Sequence, residues 1–250
     1  MRTLLIDADT LVYNAALSAE VPIDWGDDLW TLHADLGTAI THFTSTLEEI
    51  KLALEPTDII MALSDSDNNS RWRRQVMATY KNNRKKTRRP VVYAPLRQWV
   101  HETFTTYERP TLEGDDVLGI LATHPSLLQG ERIIVSIDKD MKTIPGLLYN
   151  YGSEDAEVIS ISEEEADYNH LTQTLTGDST DGYPGCPGIG PKRAAAILDS
   201  SADMWRAVVK AYEKAGLNEE VALQNARVAR ILRSSDYNFK TKEVKLWTPQ

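Results

Sequence analysis

Three short apolar runs in this chain lead into an acid. Leu4-Leu5-Ile6 is followed by Asp7, Ile60-Met61-Ala62-Leu63-Ser64 by Asp65, and Ile133-Ile134-Val135-Ser136-Ile137 by Asp138, with Asp140 two residues on. A single acid at the end of a strand is ordinarily a turn residue. Three of them, on strands lying parallel in one open sheet, would converge on the rim beyond the carboxyl ends, where such sheets bind ligands. A second group is Glu113-Gly114-Asp115-Asp116, at an expected helix start. Its i, i+3 spacing puts Glu113 and Asp116 on one face, although acids in a first turn also complement the helix dipole. Asp178 and Asp181 form a third group beside Gly177 and Gly182. Massed carboxylates repel one another unless a cation neutralises them, and hard divalent ions such as Mg²⁺ prefer oxygen ligands. The five histidines show no zinc-ligand spacing. Cys186 is the only cysteine, which excludes an intramolecular disulfide and a thiolate zinc site.

A net charge of −10 argues at first against a polyanionic partner. The distribution reverses that impression. Ten of the 27 Lys and Arg residues lie between Asn68 and His101, a stretch without one acid, which leaves 17 to face all 37 acids elsewhere. A basic run can be no more than a solvated face. Here Trp72, Tyr80, Tyr93 and Trp99 are interleaved with the charges, and aromatic platforms beside cations suit single-stranded nucleic acid. Further along, Gly188-Ile189-Gly190-Pro191-Lys192 precedes a helical stretch. Pro191 fits a first helical turn, and a tight glycine turn at a helix N-terminus can hold a phosphate on its backbone N–H groups. A simple inter-helix turn is the plainer reading of those glycines. With Asp178, Asp181 and Lys192 alongside, they read as a helix–hairpin–helix grip on a DNA backbone.

These residues need a scaffold. Thr3–Ile6, Asp58–Leu63, Arg132–Ile137 and Glu157–Ile161 read as buried strands. Thr31–Leu54, parts of Ser70–Tyr107 and Asp115–His124 read as helices between them. Alternating strands and helices predict an α/β fold with a mostly parallel central sheet flanked by helices. From Glu163 the pattern is helical, broken by the glycine-rich segment 177–190, and Val244-Lys245-Leu246-Trp247 could add a short edge strand. A boundary near residue 165 therefore divides a sheet-containing part, 1–165, from a helical part, 166–250. With 42% hydrophobic and 26% charged residues, the composition is that of a globular protein. No run nears the ~18 apolar residues of a membrane span. Asp7 and Asp9 interrupt the apolar start as an export signal would not allow, so the expected location is the cytoplasm.

Taken together the motifs resemble the 5′ nuclease (flap endonuclease) superfamily over nearly the whole chain. The likeness runs from Ile6-Asp7 through Ser64-Asp65, Trp72-Arg73, Tyr80-Lys81-Asn82-Asn83-Arg84, Glu113-Gly114-Asp115-Asp116 and Asp138-Lys139-Asp140 to Gly177-Asp178-Ser179-Thr180-Asp181 and Gly188-Ile189-Gly190. Leu112 before the acidic segment, Lys142-Thr143-Ile144-Pro145, Thr180-Asp181-Gly182-Tyr183 and Ala229-Arg230-Ile231-Leu232 with Tyr237-Asn238-Phe239 make it most similar to the 5′–3′ exonucleases of short-tailed bacteriophages. Two positions depart from the polymerase-linked pattern: Gly114 stands where alanine is usual, and Gly182-Tyr183 where Asn and an aliphatic are usual. As features of the phage subtype they are expected to bear on substrate preference more than on chemistry.

The resemblance implies a PIN-like 5′ nuclease core, a basic helical arch over about 68–102, and a helix–hairpin–helix region. It implies hydrolysis of DNA phosphodiesters from 5′ ends with 5′-phosphate products, at duplexes with 5′ ends, nicks or flaps and at RNA–DNA hybrids. It assigns Asp7, Asp65, Glu113 and Asp116, with Asp115 in support, to one Mg²⁺, and Asp138, Asp140, Asp178 and Asp181 to a second, partly through waters. Mn²⁺ is expected to substitute, and K⁺ to bind at the hairpin. Lys81 and Arg84 would engage the scissile phosphate, with Arg73, Lys85, Lys86, Gly188, Gly190 and Lys192 contacting DNA, in a monomer. The alternatives are a ribonuclease of the PIN type, which lacks the hairpin and the long arch, and a non-catalytic DNA-binding descendant, which should have lost acids that are all present here.

Overall fold

Leu4, Leu5 and Ile6 have no exposed surface, because β1 (Arg2–Asp7) lies inside a sheet covered on both faces. The structure is a computed structural model that describes residues 1–67 and 69–249, without the side chains of Lys85 and Lys86. After β1 come α1 (Ala8–Ser18), a hairpin of β2 (Glu20–Asp24) and β3 (Trp30–Ala34), α2 (Leu36–Leu54) and β4 (Asp58–Ala62). The basic segment holds α3 (Trp72–Val76), a 3₁₀ turn at Asn82–Lys86 and α4 (Tyr93–Thr103). The sheet is completed by β5 (Thr106–Tyr107), then α5 (Gly114–Thr123), β6 (Glu131–Val135), β7 (Gly146–Tyr149) and β8 (Val158–Ile161). Four helices follow, α6 (Glu163–Thr176), α7 (Pro191–Asp199), α8 (Met204–Lys214) and α9 (Glu219–Ala229), and then β9 (Tyr237–Asn238) and β10 (Glu243–Val244).

The six-stranded sheet has the order β5-β4-β1-β6-β7-β8. Every neighbouring pair is parallel except β7 and β8. Alternation along β1 sends Leu4 and Ile6 into one core, against α1, α2 and α4, and Leu5 into the other, against α5. A third apolar cluster joins Leu175, Leu198 and Tyr212 of α6, α7 and α8. This is the α/β architecture expected from the sequence. Among the described residues no helix is long and apolar enough to cross a membrane.

Several elements differ from the expectation. The helix read over Thr31–Leu54 starts only at Leu36, because the Asp35 carboxylate caps it by accepting from the Thr38 amide at 2.8 Å, and Thr31–Ala34 pairs with β2 instead. α1, the β2–β3 hairpin, β5 and β7 are elements that the strands and helices expected from the sequence do not include. At the C-terminus only Glu243–Val244 forms a strand, paired antiparallel with Tyr237–Asn238 apart from the main sheet. Trp247 instead packs edge-on against His170 and Trp205.

Candidate active site

The strand ends carry the acids to one rim, at slightly different depths. Asp7 is the last residue of β1, whereas β4 and β6 stop at Ala62 and Val135 and Asp65 and Asp138 follow in the loops. Since β1 lies between β4 and β6, the three loops are neighbours.

Asp7 caps α1 by accepting from the Thr10 amide at 3.2 Å and takes a bond from the Ser136 hydroxyl at 2.7 Å. Burial, assisted by the negative charge of Asp9, nonetheless pushes its carboxyl up to about 6. Asp65 is the opposite case. Partial burial would raise it, but the amides of Thr111 (2.7 Å) and Asp67 (3.0 Å) and the Ser70 hydroxyl (2.8 Å) hold it below the ordinary carboxylate value. Asp115 is raised well above its ordinary value by burial and then by the charges of Asp7 and Asp138. Asp138 accepts from the Asp140 amide at 2.8 Å. Asp140 is pushed up to about 7 by burial and by Asp138, Asp178 and Asp181, while Gln173 Nε2 donates to it at 2.7 Å. Asp178 takes the amides of Thr180 (2.7 Å) and Asp181 (3.0 Å), which folds its loop inward. Gly182 at φ +76° makes that turn, a conformation open to glycine and tolerated by the asparagine of the polymerase-linked pattern.

On the other side of the α5 N-terminus the charges are paired. Glu113 accepts from Arg71, Arg73 and Lys81, each at 2.8 Å, and from the Tyr80 hydroxyl at 2.9 Å. Despite its burial, these cations depress its carboxyl far below the usual range. Lys81 Nζ also lies 3.4 Å from Asp181, whose other oxygen takes Arg84 Nη2 at 2.8 Å.

Asp116 departs from its expected role. It is fully buried. Arg73 grips both its oxygens at 2.7 and 2.8 Å, Trp72 Nε1 donates at 2.9 Å, and the Leu232 amide at 3.2 Å. An oxygen set so occupied faces the protein interior and not the rim. The correction extends to Arg73, expected to touch DNA. It is buried, and beyond Asp116 and Glu113 it donates to the carbonyls of Val228 and Arg230. The pair clamps the basic segment to α5 and the C-terminal tail.

Residues 2–167 match the family described as the 5′–3′ exonuclease, N-terminal resolvase-like domain. The chain belongs to that family. It is 32% identical to the exodeoxyribonuclease of Enterobacteria phage T3, over 99% of this chain and 93% of that one. It is likewise 32% identical to the exonuclease of Escherichia phage T7, over 98% of this chain and 93% of the relative. In fold, 92% of the chain matches 89% of the phage T5 flap endonuclease, described in a pseudo-enzyme-product complex with DNA and metal ions, with a TM-score of 0.65 and 15% identity. This family member is thus a hydrolase of the 5′–3′ exonuclease and flap endonuclease kind.

In this exonuclease-family protein the glycine turn leads directly into α7. Gly190 precedes α7, Pro191 occupies its first turn, and Lys192 is exposed. Gly188, at φ +75°, offers its carbonyl to Arg193 Nη1 at 2.8 Å. The side chains of Lys85 and Lys86 lie outside the described residues. Among the described residues no three acidic, histidine or cysteine side chains close on a single point at ion-binding distance. The donor set of the rim is nonetheless all oxygen, and the raised carboxyls of Asp7, Asp115 and Asp140 mark where positive charge is wanting. That chemistry fits a hard divalent cation. Sequence reading gave no site role to Asp9, Ser64 or Gln173, although Asp9 stands two residues after Asp7 and Ser64 belongs to the Ser64-Asp65 motif.

Proposed function

We propose that this protein hydrolyses DNA phosphodiesters from 5′ ends with two divalent metal ions, leaving 5′-phosphates on mononucleotides or short oligonucleotides. The observation that carries this reading is the uncompensated carboxylate rim: Asp7 is buried, Asp115 and Asp140 are half-buried, and all three lie near like charges that help hold their protons above the ordinary carboxylate range. Asp7, Asp65 and Asp115, with Glu113 behind them, would hold one Mg²⁺, and Asp138, Asp140, Asp178 and Asp181 the other, with Mn²⁺ as a substitute. Such ions supply charge neutralisation at the phosphate and activation of water for in-line attack. Lys81 and Arg84 exchange their carboxylate partners for phosphate oxygens and stabilise the charge that develops there. The exposed Lys192 and the backbone of Gly188 and Gly190 hold the duplex phosphates. A K⁺ ion at the hairpin would have to compete with Arg193 for the Gly188 carbonyl.

The protein would act as a monomer on nicked, flapped or blunt DNA and on RNA primers, in the cytoplasm of an infected host cell. The T5 neighbour, described with DNA and metal ions, supports the substrate and cofactor class. The test is a panel of 5′-labelled substrates (blunt duplex, nicked duplex, 5′ flap, RNA–DNA hybrid) incubated with Mg²⁺ or with EDTA. Release of 5′-phosphorylated products only with Mg²⁺ is expected. Equal cleavage in EDTA would end the metal reading, and binding without cleavage would favour the non-catalytic alternative.

A further inference from the structure

Asp9 stands two residues beyond Asp7, in the first turn of α1. There an acid needs no more explanation than the helix dipole. Its carboxylate, however, does not stay with its own helix. Oδ2 reaches across to accept from the Ser64 amide at 2.8 Å, and the Ser64 hydroxyl in turn accepts from the Gly114 amide at 2.9 Å. The Ser64 carbonyl is held by Arg97 Nη2 at 2.7 Å. Each member of this relay is close in sequence to an acid of the rim: Asp9 to Asp7, Ser64 to Asp65, and Gly114 to Glu113 and Asp115. The relay therefore joins three separate elements, β1–α1, the loop after β4 and the start of α5, at the place where their carboxylates must be brought into register.

Gly114 carries the second half of the argument. Its backbone is not in the left-handed region and no turn requires glycine there. As the first residue of a helix it would ordinarily favour alanine. A Cβ on Gly114 would lie 2.9 Å from Asp9 Oδ2, closer than such atoms approach, and 3.5 Å from the Ser64 amide nitrogen. Asp9 has a short side chain held by its bond to Ser64, so it can yield only by breaking the relay.

We propose that Asp9 is a positioning residue for the metal rim, acting through Ser64, and that residue 114 is glycine because Asp9 occupies the space of its Cβ. This rests on the metal reading above for its functional half and on packing alone for its structural half. It also replaces the expectation that Gly114 bears on substrate preference: the glycine belongs to the construction of the site.

Two measurements on the full chain test it separately. The first is a thermal-stability cycle in EDTA over wild type, Asp9→Ala, Gly114→Ala and the double variant. Gly114→Ala should lower the Tm when Asp9 is present and leave it unchanged or higher when Asp9 is alanine. The same loss in both backgrounds would overturn the packing claim. The second is Mg²⁺ binding by titration calorimetry. Removing a group that orients metal ligands costs roughly 10–100-fold in affinity, and Asp9→Ala should fall in that range. Asp9→Asn, which keeps an oxygen for the Ser64 amide, should remain close to wild type. If Asp9→Asn is as weak as Asp9→Ala, charge and not the relay is what matters; if Asp9→Ala binds as wild type does, there is no positioning role. Failure of wild type itself to bind Mg²⁺ would instead refute the metal reading, leaving the stability cycle to decide the packing claim.

Discussion

Removing the charge from Asp115 and from Asp116 should affect the metal-free protein in opposite directions. Asp115 is half-buried and feels the charges of Asp7 and Asp138, so Asp115→Asn relieves repulsion; it should raise stability in EDTA while abolishing Mg²⁺-dependent cleavage. Asp116→Asn leaves the Arg73 guanidinium buried without its bidentate partner, and breaking a buried pair in that way costs about 3–5 kcal/mol. Denaturant unfolding of the two variants in EDTA measures both effects. Stabilisation by Asp116→Asn would contradict its placement as an internal clamp. The sequence shows that Glu113 and Asp116 share a helical face, and they do. What spacing cannot tell is which way that face turns. The partner that decides it, Arg73, lies forty residues earlier and was itself read as a surface cation, because burial of a charge depends on a contact that no local pattern records.

The same blindness to long-range pairing shaped the reading of whole elements. Runs buried on both sides, such as β1, β4 and β6, announce themselves as continuous apolar sequence. The β2–β3 hairpin does not, since both its faces are largely exposed and the alternation of Trp30-Thr31-Leu32-His33-Ala34 runs straight into the helical pattern that follows. In sequence the basic segment reads as cations interleaved with aromatics, a surface for nucleic acid. In the structure Trp72, Arg73, Tyr80 and Lys81 are already buried, while Arg88 pairs with Glu20 at 2.6 Å. Lys81 is held in the left-handed region at φ +53°, its amide donating to the Asp181 carbonyl at 2.8 Å, and strain of this kind gathers at functional sites. Two outcomes follow for the element. Limited proteolysis of the free protein should cut near the exposed Arg88 and Arg89 and spare Arg71 to Lys81; cleavage at Arg73 or Lys81 in the folded protein would contradict the clamp. Lys81→Met should slow single-turnover cleavage far more than it weakens DNA binding measured in Ca²⁺, because the other cations still attract the backbone while the reacting phosphate loses its specific partner. Equal losses in rate and affinity would make Lys81 a simple docking charge.

For the molecule as a whole, the acidic rim should make metal-free stability fall as pH rises. Asp7, Asp115 and Asp140 keep their protons in the folded state above the ordinary value of 3.8, Asp7 to about 6 and Asp140 to about 7. Between those limits the folded chain binds more protons than the unfolded one, and stability declines with pH wherever that holds. Glu113 and Asp65 have the opposite sign, but their contributions are lost only below 4.5 and 3.8 and so do not act above pH 5. His170 opposes the trend. Burial, with Arg230 close by, lowers it from 6.5 to about 3, so it adds stability with rising pH up to 6.5 and nothing beyond. Three acids against one imidazole leave a net decline from about pH 5, and above 6.5 the acids act alone. Bound Mg²⁺ should remove the decline, because the cation supplies the charge that the protons otherwise provide and adds binding free energy to the folded state. Scanning calorimetry from pH 5 to 8 in EDTA and in Mg²⁺ should therefore give two curves that diverge with rising pH. Parallel curves would mean that the cation binds somewhere other than among Asp7, Asp115 and Asp140. A flat curve in EDTA would mean that these carboxyls do not share one desolvated site.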